Sequence, residues 1–153
     1  MNTQMNTQMN TQMNTQMNTQ MNTQMNTQIL TQRTFLGRIF KLWEYHVSHG
    51  SLLIRSPKSL DEATNIDIMC SGVDYLSVPE YITNLEITEP TVEEFQYLQT
   101  VIRNPVPMSY IHVLVSNGNR FLVVAASFRI VENTSDIVDS PFDDIITRAK
   151  PIQ

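Results

Sequence analysis

Four residues have side chains that could act as a nucleophile, a base or a metal ligand: Cys70, His46, His49 and His112. A cysteine that works with a histidine usually lies in a family-specific motif, and no such motif surrounds Cys70. Cys70 instead alternates with Ile68 in an apolar pattern, which favours a buried and inert thiol. A minor enzyme with a site near His112 and Cys70 therefore remains only an alternative.

The two nearby histidines, His46 and His49, have a spacing that would suit a metal only if a third ligand lay beside them. They fall at the predicted end of a strand and in a turn, and no third ligand is evident nearby. With only four glycines, the chain also contains no glycine-rich phosphate loop. We therefore predict no metal and no cofactor, and we lean against an enzyme.

Acidic residues cluster near the C-terminus, at Asp136, Asp139, Asp143 and Asp144. Their spacing is not that of a calcium-binding loop, so helix capping or an electrostatic patch for a basic partner explains them better. The chain has 10 Lys and Arg against 15 Asp and Glu, a net charge of −5. Because an acidic surface repels phosphate backbones, nucleic-acid binding is disfavoured.

The first 28 residues are seven copies of Met-Asn-Thr-Gln. Residues four apart are about 400° apart on a helix, so the methionines would drift by about 40° per copy and form no constant face. We predict a disordered, low-complexity tail over 1–32 and a single folded domain over 33–153. The sequence leaves open whether the tail has a role and which repeat methionine starts translation.

Hydrophobic alternation predicts the strands of the N-terminal half. Ile39–Ser48 and Ser51–Ser56 flank a turn at His49-Gly50 and form a predicted hairpin. Asn65–Val73 alternates as a half-buried strand, and a short edge strand is predicted near Ile82–Thr88.

Two helices are predicted from their starting residues. Thr91 and Glu94 form a capping box, and the helix that they begin ends at Asn104-Pro105. Ser140-Pro141 has the form of a second helix start, with Asp143 and Asp144 in its first turn.

The clearest local signal is Asn117-Gly118, the preferred pair for a two-residue hairpin turn, which joins Tyr110–Ser116 to Asn119–Val131. Both faces of this hairpin are mostly apolar. It therefore lies in a sheet covered on both sides, or one side meets a partner. The predicted interaction surface comprises Tyr110, His112, Leu114, Phe121, Asp139, Asp143 and Asp144.

Together these patterns predict an α+β fold, with a mainly antiparallel sheet of about five strands and two helices after the tail. They favour a small non-enzymatic protein-interaction module of bacterial type, whose partner is another protein or a second copy. The alternatives are an immunity-like neutraliser of a toxin domain, a small-ligand-binding domain, or the minor enzyme. A single cysteine and the lack of any apolar stretch near the ~20 residues of a membrane span predict a cytoplasmic location.

Overall fold

The computed structural model describes residues 5–18 and 33–142 of the chain. Within 33–142, six antiparallel strands form a closed barrel. The strands are β1 (Arg33–His46), β2 (Ser51–Ser56), β3 (Asn65–Ser77), β4 (Tyr81–Thr88), β5 (Ile111–Ser116) and β6 (Asn119–Asn133). Their order around the barrel is β1-β2-β3-β6-β5-β4.

Closure of the barrel depends on β4, which pairs with β1 on one side and with β5 on the other. The prediction of an α+β fold with an antiparallel sheet is confirmed, but the sheet has six strands rather than about five. The segment Ile82–Thr88 was predicted as an edge strand, and this was wrong because β1 supplies its second neighbour, with Phe40 opposite Ile82. Closing the sheet removes the exposed strand edges that an open sheet carries.

Alternate residues of the strands point into the barrel and fill it with apolar side chains. Leu52, Ile54 and Ile68 are fully buried there, as are Leu85 and Leu114. Since Leu53 and Met69 are also buried, on the outer side, β2 and β3 are covered on both faces.

Helix α2 (Val92–Val101) covers the outer side of β5 and β6, where Leu98 packs with Val113 and Val124. The capping box is confirmed, because the Thr91 hydroxyl accepts from the Glu94 amide and the Glu94 carboxylate accepts from the Thr91 amide. The helix ends three residues before Asn104, because Ile102 has extended backbone angles.

The predicted Asn117-Gly118 hairpin is confirmed with its register, in which Ser116 faces Asn119 and Leu114 faces Phe121. Asn117 and Gly118 both have positive φ angles, of 50° and 80°, as the turn requires. The hairpin is covered on both sides, by the barrel interior and by α2.

Residues 5–18 form a helix, α1, within the repeat for which the sequence predicts a disordered tail. Its threonines bond to the backbone of the preceding turn, with the hydroxyls of Thr11 and Thr15 donating to the carbonyls of Thr7 and Thr11. Such a bond satisfies the hydroxyl inside a helix but slightly destabilises the helix. The helix predicted to start at Ser140 lies mostly outside the described residues. No helix in the described ranges is long and apolar enough to cross a membrane.

Candidate functional site

A cavity of about 440 Å³ opens at one end of the barrel. It lies where β1 begins, β4 ends and β5 begins, and apolar and polar residues line it together. The lining residues are Arg33, Ile87, Thr88, Glu89, Met108, Ser109, Ile111, His112, Phe128 and Ile130. Its volume is within the range of small-molecule pockets.

The cavity exists because β5 is much shorter than its neighbour β6. The last residue pair of the two strands is Ile111 opposite Val124, although β6 continues to Asn133. A short 3₁₀ helix, Met108–Tyr110, precedes β5 and supplies part of the wall. At the same end of the barrel, β1 extends beyond its pairing with β2. There the guanidinium of Arg38 donates to the Ser56 and Thr64 carbonyls, at 3.3 and 2.8 Å.

His112 is a half-buried polar residue in the cavity wall. Its ring stacks on Phe128, with centroids 4.2 Å apart and an interplanar angle of 17°. Burial lowers the pKa of His112 below its usual value, against the effect of a hydrogen bond to the Ala125 backbone, which raises it. The buried Nε2 atom of His112 has no hydrogen-bond partner among the described residues. A buried acceptor without a partner costs about 1–3 kcal/mol.

Two opposite charges line the cavity, at Arg33 and Glu89. Both residues are exposed, and neither side chain forms an ion pair within the described part of the chain. The backbone carbonyl of Glu89 is held by Arg120, which donates to it at 3.1 Å. The cavity therefore combines an apolar interior with one available cation and one available anion.

The lowered pKa of His112 predicts a loss of stability in mild acid. In the unfolded chain, His112 has a pKa of about 6.5 and binds a proton below that pH, whereas in the folded chain it does not. The free energy of unfolding therefore decreases as the pH is lowered below about 6.5. The loss is complete once the pH is below the folded pKa. Urea unfolding at several pH values between 7.5 and 5 should show this slope, and His112→Phe should reduce it. An identical slope in the variant would contradict the prediction.

A second polar cluster lies on the outer side of β2 and β3, under the segment 134–142. The side chains of Arg55 and Asp67 are 1% and 0% exposed and form a two-pronged ion pair, with N–O distances of 2.7 and 2.9 Å. Arg55 also donates to the carbonyls of Ile137 and Asp139, and the Asn133 amide donates to Asp67. Arg55 thereby fastens the segment to the barrel, and its bonds are internal rather than directed at a ligand.

The other sequence-predicted chemical residues do not join either cluster. Cys70 is 1% exposed, and burial raises the pKa of its thiol to about 12, so it is protonated and unreactive at neutral pH. His46 contacts Glu44, and Nδ1 of His49 is 2.8 Å from the hydroxyl of Ser48. Among the described residues, no three metal-ligating side chains come together.

The predicted interaction surface is dispersed by the fold. Leu114 is fully buried in the barrel and Phe121 packs against the core, whereas Tyr110 is 38% exposed. His112 lines the cavity, and the carbonyl of Asp139 accepts from Arg55. The remaining two residues of that prediction, Asp143 and Asp144, lie outside the described residues.

The sequence interpretation found His112 but missed Arg33, Phe128 and Glu89, which share its cavity. A usable signal was the position of Phe128, which continues the apolar pattern of β6 beyond the part that β5 can cover. Arg33 lies directly at the boundary of the repeat, where the neighbouring residues show no hydrophobic alternation that would have indicated its position.

These features define a closed six-stranded antiparallel barrel with a cavity at one end. No family model matches the chain, and comparisons with curated proteins and with solved structures give no match.

Proposed function

We propose that the barrel is a small-molecule-binding domain whose site is the cavity at the end of the barrel. The observation that carries the proposal is the buried Nε2 of His112 in the wall of a cavity of about 440 Å³. A cavity with an apolar lining and a few convergent polar groups is the usual form of a ligand site. The net charge of −5 disfavours nucleic acid as the ligand, and the free Cys70 supports a cytoplasmic setting.

The state of His112 defines what it offers to a ligand. Its pKa is lowered, so the ring is neutral at pH 7 and has one donor and one acceptor nitrogen. Since Nε2 has no partner, the nitrogen bonded to the Ala125 backbone is Nδ1, which donates to the carbonyl. Nε2 is then an acceptor that lacks a donor. Because this atom is buried, the proposal requires the imidazole ring to turn toward the cavity when a ligand donor binds.

Binding rather than catalysis fits the surroundings of His112. A histidine base needs a nucleophile or substrate within reach and a group that orients its ring. Here a backbone carbonyl orients the ring, but Cys70 is a protonated, buried thiol and gives no nucleophile. Ser109 lines the same cavity without a hydrogen bond to His112.

The proposal is tested by methyl NMR of the four isoleucine and methionine residues in the lining: Ile87, Met108, Ile111 and Ile130. Titration with p-cresol and phenylacetate at millimolar concentration should shift these signals in a saturable manner. The signal of Ile54, inside the barrel core, is the control and should not move. If neither probe shifts any of the four lining methyls, the proposed site is wrong.

A second candidate function, protein interaction, is favoured by the outer face of β1 and β4. Leu36, Ile39 and Tyr81 are 77%, 56% and 55% exposed there. Ile39 and Tyr81 share a face, since Ile39 is opposite Thr83 and Lys41 is opposite Tyr81. Neighbouring exposed apolar residues are typical of a surface that meets a partner.

Self-association through this face would be weakened by a charge at its centre. Ile39→Lys should shift the sedimentation velocity of the concentrated protein toward the monomer, because an ammonium group resists burial in an apolar contact. Val47→Lys is the matched control, since Val47 is 81% exposed in the turn after β1. Equal sedimentation of both variants and the wild type would remove the second copy as the partner.

A further inference from the structure

We infer that the cavity takes a small monocarboxylic acid whose apolar ring carries a hydroxyl or N–H donor. This inference rests on the proposed function and adds the ligand class. It follows from three parts of the cavity, which are the cation at Arg33, the apolar wall and the unpartnered acceptor of His112.

Arg33 supplies the carboxylate partner. Arg33 is one of the lining residues, and its guanidinium has no ion pair among the described residues. A guanidinium binds a carboxylate through two parallel hydrogen bonds, a geometry that an ammonium group cannot offer. Arg33 is fixed at its base by the pairing of β1 with β4, in which it is opposite Ile87.

The apolar wall accommodates the body of the ligand. Phe128 and Ile130 from β6 and Ile87 from β4 face the same space. Phe128 already stacks on His112, and aromatic side chains favour further stacked or edge-to-face rings. One ring with a short acidic side chain fits within about 440 Å³.

Glu89 limits the charge of the ligand. Glu89 is one of the lining residues, and its negative charge would repel a second negative group on the ligand, so a dicarboxylate or a phosphate ester is disfavoured. The donor on the ring then meets His112 Nε2, since a neutral imidazole bonded through Nδ1 accepts at that atom. A ligand that lacks this donor leaves the buried acceptor unpaired.

The test compares probes that differ by one group. Isothermal titration with 4-hydroxyphenylacetate, phenylacetate, p-cresol and tyramine separates the donor from the carboxylate. We expect 4-hydroxyphenylacetate to bind about tenfold more tightly than phenylacetate, which lacks only the hydroxyl. It should also bind about tenfold more tightly than p-cresol and than tyramine, because neither of these has a carboxylate to pair with Arg33.

Two variants assign these differences to residues. Arg33→Gln should remove the advantage of 4-hydroxyphenylacetate over p-cresol, and His112→Phe should remove its advantage over phenylacetate. Arg103→Gln is the matched control, because it deletes the same charge at a residue outside the cavity lining and should leave all affinities unchanged.

The outcomes separate this inference from the proposed function. If p-cresol and phenylacetate shift the lining methyls but all four probes bind equally, the site stands and the ligand class is wrong. Equal weakening by Arg33→Gln and Arg103→Gln would also overturn it, since only overall charge would then matter. If no probe moves the lining methyls, the proposed function falls as well.

Discussion

Replacing Asp67 with leucine should lower the free energy of unfolding by about 3–5 kcal/mol, the usual cost of breaking a buried ion pair. The Arg55 side chain is 1% exposed, so the variant leaves under the segment 134–142 a charge that keeps its hydrogen bonds to the carbonyls of Ile137 and Asp139 but loses its carboxylate. The Asn133 amide also loses its acceptor on Asp67. Urea unfolding at pH 7, followed by circular dichroism, measures the loss.

Two further variants show whether burial is the cause. Arg120→Met breaks the half-exposed pair with Glu94 and should cost less than about 1 kcal/mol. The double variant Arg55→Met/Asp67→Leu removes both charges and should recover part of the loss, because no unpaired charge stays buried. A double variant as unstable as Asp67→Leu alone, or more so, would mean that packing, rather than charge, dominates at this position.

The local structure of this chain is predictable because single turns and caps depend on neighbouring residues. Asn117-Gly118 predicts both the turn and the register of β5 with β6, and Thr91 with Glu94 predicts the start of α2. The alternation of Asn65–Val73 likewise predicts most of β3, which continues to Ser77.

Closure of the barrel is less predictable, since it depends on pairing between residues of β1 and β4 that are 40 or more positions apart in sequence. Alternation places Asp67 on a polar, half-buried face, whereas the segment 134–142 buries it completely. A sign of this cover is Met69, an apolar residue on the same face as Asp67, and Phe142 packs against it.

The candidate site is only partly predictable for the same reason. His112 stands out as a polar residue in an apolar hairpin, but its cavity arises from unequal strand lengths and from residues of β1 and β4. The hydrophobic pattern of the hairpin correctly indicates cover on both faces. It does not indicate that the cover is missing at the point where β5 begins.

Replacing Gly50 with alanine should lower the free energy of unfolding by on the order of 3 kcal/mol, through two costs that occur together. Gly50 has a φ angle of +55°, which an L-residue with a Cβ adopts unfavourably. An added Cβ would also lie 2.9 Å from the backbone nitrogen of Val73, and backbone cannot move aside as a side chain can. That nitrogen donates to the Gly50 carbonyl at 3.0 Å, so the bond that joins the turn to β3 would be strained.

Gly118→Ala separates the two costs, because Gly118 has a φ angle of +80° but no atom within 4 Å of an added Cβ. Gly118→Ala should lower the free energy of unfolding only through the cost of the positive φ angle, about 1–2 kcal/mol. Urea unfolding of both variants gives their losses in the free energy of unfolding. The amount by which the loss for Gly50→Ala exceeds the loss for Gly118→Ala measures the cost of the close approach of the turn to Val73. Equal losses would show that the turn can withdraw from β3 freely. A larger loss at Gly50 would mean that this contact fixes β3 where it bends, between Val73 and Tyr75.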